Sequence, residues 1–195
     1  MTKRWTLPLA TCLLASTAMA QTDSPKLADP VTEAEAMGVI VKVEDVMGKV
    51  LGVKAMPRSQ RPWSKTKAMT RAAVIDEFDR LFALAKPQFK YTQDPQPFDK
   101  TKLKAPAPQL AKLEKLIAFG LVAPFGPLAT GPGDTLKLRE FGDAIGFLIS
   151  AVASLTHTPS SRWSPYLVAI DQQIAPSRRE LESKRKGGGG GNRQN

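Results

Sequence analysis

The chain has one cysteine, one histidine and few aromatic residues among its 195 residues. Each shortage closes a route to function. With Cys12 alone, neither a Cys-rich zinc site nor an internal disulfide can be assembled. A Ser-His-Asp or Cys-His device would have to use His157. No apolar stretch beyond the N-terminal one approaches the ~18 residues that span a bilayer. The aromatic share is only 7%, and 16 prolines accompany it, so a large dense core is not expected. No metal or cofactor is expected. Any enzyme would have to run on carboxylates, lysines or hydroxyls, and the chain is read as non-catalytic.

The first twenty residues have the layout of an export signal. Lys3 and Arg4 form a positive start, Trp5 to Thr17 is apolar, and Ala18-Met19-Ala20 is a small-residue cleavage site. Pro8 inside the run suits a signal better than a stable helix. Cys12 lies in this segment, and Thr11 before it disfavours a lipoprotein box. Cleavage would remove Lys3 and Arg4, taking the formal charge from +10 to +8. The expected location is therefore the periplasm, the cell envelope or the extracellular space.

Residues 21–30 read as a polar linker. Val31 to Leu51 has helical spacing, with Ala36, Ile40, Val43, Met47 and Val50 on one face. Thr32 and Glu35 form a candidate capping box at its start. Val39, Val41 and Val43 also alternate, which leaves a strand as the competing reading. Lys49 to Arg71 carries seven basic residues and no acidic one, and Pro57 and Pro62 make it a loop. A second helix is expected over Arg71 to Ala85, stopped by Pro87. Pro87 to Pro108 reads as an extended connection. Pro108 suits the first turn of a third helix with Leu110, Leu113 and Ile117 inward and Gly120 after it.

Leu121 to Asp134 is a Gly/Pro loop. Leu138 to Leu155 is the fourth helix and the one expected to be most buried, with Phe141, Ile145, Leu148, Val152 and Leu155 as its seam. Gly142 and Gly146 within it predict close packing against a neighbour. Residues 156–177 hold a short last helix starting at Ser164-Pro165, with Leu167, Ile170 and Ile174 inward. Residues 178–195 form a basic tail with a pentaglycine, expected to be disordered. The fold class is mainly α: a small helical bundle with long Pro/Gly-rich loops.

Three helix starts share one pattern, an apolar residue, a cap position, then a helix: Val31-Thr32-Glu33-Ala34-Glu35-Ala36, Met69-Thr70-Arg71-Ala72-Ala73-Val74 and Leu136-Lys137-Leu138-Arg139-Glu140-Phe141. These segments resemble the S-layer homology module, marked by an apolar residue followed by Thr-Arg-Ala-Glu-Phe. Gln109 to Val122 is similar to the module's shorter helix with its Gly-aliphatic-aliphatic ending. The clearest unit spans about Phe98 to Leu155, and the repeats together cover residues 31–155. The copies depart from the pattern: Glu33 replaces the Arg, Ala73 replaces the Glu, and Lys137 replaces the Thr.

The resemblance implies binding to anionic cell-wall polysaccharide or peptidoglycan, with the motif Arg pointing outward near a loop. Arg71 matches that Arg, and Arg139 is an offset candidate. Trp63, beside Arg61 and Lys65, is a candidate for stacking on a sugar ring. Trp163, after Arg162, is a similar candidate; for both tryptophans an aromatic that pins a loop to the core is the favoured reading, and His157 reads as a solvated or capping residue. Asp76, Glu77 and Asp79 read as a charged helix face rather than a glycoside-hydrolysing pair. An acidic envelope protein, docked through the basic loop and tail, is the alternative partner. A carboxylate-based enzyme acting on polysaccharide comes next. Nucleic acid is not an expected partner for an exported chain.

Overall fold

The computed structural model describes residues 25–55, 57, 62–90 and 97–166. The export signal, residues 21–24 of the linker, Leu167, Ile170, Ile174 and the basic tail lie outside the described residues. The architecture is mainly helical. Six α-helices are bounded within the described residues: α1 (Pro25–Ala28), α2 (Glu33–Leu51), α3 (Arg71–Ala85), α4 (Ala107–Ala118), α5 (Pro127–Thr130) and α6 (Leu138–Leu155). Residues 160–166 are also helical, so this segment begins before the expected Ser164-Pro165 start.

The 31–51 stretch is a helix, which settles the competition with a strand in favour of the cap. Glu35 N–H donates to Thr32 Oγ1 (3.3 Å) and Thr32 N–H to a Glu35 carboxylate oxygen (3.1 Å), a reciprocal capping box. Thr70 caps α3 through Ala73 N–H (3.2 Å). At α6 only the second half survives: Lys137 N–H donates to Glu140 (2.9 Å). Thr32→Ala should lower the unfolding free energy by about 1 kcal/mol in a urea melt. An unchanged midpoint would show that the box contributes nothing to α2.

The inward stripes of α2, α3, α4 and α6 meet in one apolar cluster that includes Ile40, Met47, Phe78, Leu81, Leu113, Ile117, Phe141 and Leu148. Gly120 closes α4 at a φ of 69°, a left-handed geometry that favours glycine. Gly146 does not follow its expectation. A Cβ placed there would meet nothing within 4 Å, so no described residue packs against it.

The three helix starts, far apart in sequence, are pinned to one another. Isolated antiparallel bridges join Thr32 to Ala68, Thr70 to Thr135 and Pro30 to Lys137. Their hydrogen bonds repeat one register. Glu33 N–H donates to Lys67 O (2.9 Å), Arg71 N–H to Asp134 O (2.6 Å) and Leu138 N–H to Asp29 O (2.9 Å). In each case the residue two after the apolar position of one start reaches the residue two before that of the next. The third start reaches back to the first, so the set closes on itself. Val31, Met69 and Leu136 are all buried at this junction.

Candidate functional site

The closed register decides where the residue after each cap can point. The chain entering the next helix start crosses directly over it. In the first copy, the Glu33 carboxylate accepts from Ser64 N–H (3.3 Å) and pairs with Lys67 Nζ (3.0 Å). Ser64 O in turn accepts from Ala34 N–H (3.0 Å), so the 64–67 turn is tied to the α2 start. In the third copy the position is Leu138, and it is buried.

In the second copy it is Arg71, and the expectation of an outward guanidinium is corrected here: Arg71 is 3% exposed. Its fork lies inside the Gly/Pro loop and is filled by backbone carbonyls. Nη1 donates to Leu128 O (2.8 Å) and to Pro127 O. Nη2 donates to Gly131 O (3.1 Å), Pro132 O (3.3 Å) and Gly133 O (3.2 Å), and Nε to Gly133 O (3.3 Å). The chemistry explains the match. Prolines have no N–H and the loop forms no ladder; Pro127 O accepts from Gly131 N–H (3.0 Å) within the loop, and the other carbonyls need an outside donor, while a guanidinium carries five donors in a planar fork. Burial lowers the Arg71 pKa from its ordinary value, while Glu140 and Asp134 oppose that shift. Arg71 therefore holds the loop and presents no donor outward.

Arg139 is exposed on the first turn of α6, so Arg71 and Arg139 do not line a common surface. Trp63 is half-buried and packs against the core beside the tethered 64–67 turn. Trp163 is 1% exposed, with its indole N–H donated to Thr158 Oγ1 (2.8 Å). It pins the turn after α6, as expected of it. His157 sits in that turn with a φ of 52°. It borders an open groove of about 500 Å³ together with Ile149, Ser150, Ser154 and Pro159.

The carboxylates on α3 are engaged in ties between helices. Asp76 takes Lys112 (2.6 Å) and Gln109 (3.2 Å) from α4, and Lys115 reaches Asp79. The hydrogen bond to Asp76 raises the Lys112 pKa from its ordinary value. Glu77 and the buried Glu44 of α2 share Arg80. Among the described residues no group of three or more His, Cys, Asp or Glu is placed to hold a metal. No described helix is long and apolar enough to cross a membrane.

No known family model matches the chain, and neither does any curated protein or solved structure.

The geometry of the site adds one residue that sequence reasoning passed over. Phe125 is 71% exposed, at the head of the loop clamped by Arg71. The signal available was the tetrad Pro124-Phe125-Gly126-Pro127: an aromatic between turn-forming residues has no helix or strand to carry it inward. Four residues after Phe125, Ala129 O accepts from Lys104 N–H (2.8 Å).

Proposed function

We propose that the chain is an exported, non-catalytic envelope protein that holds anionic cell-wall polysaccharide or peptidoglycan. The observation that supports this best is the single register joining the three helix starts. It gives a structural counterpart to the sequence repeat on which the resemblance to S-layer homology modules rests. The export layout of residues 1–20 and the cationic mature chain agree with a polyanionic partner outside the cytoplasm. The carboxylates of α3 serve as ties to α2 and α4, which favours binding over hydrolysis.

Arg71 does not supply the contact in this reading. It fixes the shape of a loop, and the contacts come from side chains that remain outside, including Arg139 and the exposed edge of Trp63. The test is sedimentation of the purified protein with insoluble wall sacculi at low salt. Retention in the pellet, falling as salt rises because the contact is largely ionic, is the expected result. Protein that stays in the supernatant at low salt would overturn the reading.

A further inference from the structure

We infer that Phe125 and Lys104 form a sugar-binding platform, Phe125 taking the face of a pyranose ring and Lys104 an acidic substituent on it. The inference rests on the wall-binding reading and adds a second contact, on the 124–134 loop, to those of Arg139 and Trp63.

Three observations carry it. Phe125 is the most exposed large apolar side chain described, and the two others, Val41 and Phe147, lie on helices rather than loops. Its loop is already ordered. Five carbonyls between Pro127 and Gly133 are held by one buried guanidinium, and Gly126 O accepts from Ala129 N–H (3.0 Å) and Thr130 N–H (3.0 Å). A ring presented on such a loop loses little freedom on binding. Finally, the Lys104 backbone is fixed to this loop: its N–H donates to Ala129 O (2.8 Å), and Ala129 N–H donates to Gly126 O (3.0 Å), the residue after Phe125. Lys100 and Lys102 are paired with Glu114 and Asp99, whereas Lys104 is exposed with no carboxylate partner among the described residues.

The scale of the feature selects the partner. One ring and one ammonium cover far less than the ~800 Å² per side of a stable protein interface. A single aromatic with one cation is also a weak membrane anchor. A sugar ring matches it in size. The apolar C–H face of a pyranose meets the electron-rich face of the aromatic, and a carboxylate or phosphate on the sugar meets the ammonium. Weak individual contacts are enough on a polymer that repeats the same unit.

The experiment compares wild type, Phe125→Ala and Lys104→Gln in sedimentation with wall sacculi, before and after acid removal of the anionic polymer. Circular dichroism confirms that each variant keeps its helices. Phe125→Ala should bind about tenfold more weakly. Lys104→Gln should bind about threefold more weakly to intact sacculi and equally to wild type on stripped ones. Wild-type binding that survives Phe125→Ala unchanged would overturn the platform and leave the wall-binding reading standing. Absence of wild-type binding would overturn that reading itself. Phe125-dependent binding to phosphatidylglycerol vesicles, without binding to sacculi, would replace the sugar with a lipid surface and overturn both.

Discussion

Arg71→Ala is expected to destabilise the protein by about 3–4 kcal/mol. The change removes a buried charge together with the donors that satisfy five carbonyls of the Gly/Pro loop. Removing the partner of a buried polar group costs about 1–3 kcal/mol. Part of the loop can turn to water, so the costs do not simply add. Arg71→Lys should recover less than half of the loss, since an ammonium offers three donors from one point and cannot span the carbonyls from Pro127 to Gly133. Urea unfolding reads both variants, as a shift of midpoint at constant slope. A variant with wild-type stability would return Arg71 to the surface.

The second large effect is expected at the α2–α3 contact. Glu44 is 4% exposed and accepts both ends of the Arg80 guanidinium, one at 2.8 Å. Arg80 also donates to Glu77 (3.0 Å). Arg80→Ala should cost about 3 kcal/mol, because it leaves a carboxylate in an apolar setting without its bidentate partner. Replacing both residues together, Glu44→Met with Arg80→Met, should recover most of that loss, since two apolar side chains need no partner there. A double variant as unstable as Arg80→Ala alone would show that the helices depend on the ion pair itself. Thermal melts of the three proteins provide the comparison.

Much of the helical framework is legible in the sequence. Arg71 to Ala85 and Leu138 to Leu155 are helices over the expected spans, and α2 begins two residues after the predicted Val31. Caps, stop signals and apolar spacing are local properties, and they set helix ends through interactions three or four residues apart. The interior of the candidate site obeys other rules. The carbonyls that surround Arg71 lie 56–62 positions away in the chain. Their need for a donor appears only when the loop is laid over the α3 start. From sequence alone, a cation after a cap reads as solvated. Gly146 misleads for the opposite reason: a helix-weakening residue suggests a close neighbour, and none is there among the described residues. Phe125 was passed over because an apolar residue in a loop is usually assigned to the core. Trp163 was placed correctly, since a ring between polar residues just after a buried helix has a core to fold onto.

The junction of the three helix starts is also what turns a repeat in the sequence into a mechanical unit. Each start holds the approach to the next, through Glu33 and Lys67, through Arg71 and the 127–133 carbonyls, and through the burial of Leu138. A ligand arriving at this end meets loops whose shapes are already set. Under the proposed wall-binding function, specificity would lie in what the loops display, while the motif residues beneath them supply stability.

Amide hydrogen exchange at Glu33, Met69, Arg71 and Leu138 tests that interlock most directly. Each of these N–H groups donates across the junction. All four should exchange together, at the slow rate of global unfolding, and Arg71→Ala should speed them as a group. Fast, independent exchange at any of these starts in the wild-type protein would contradict the interlock.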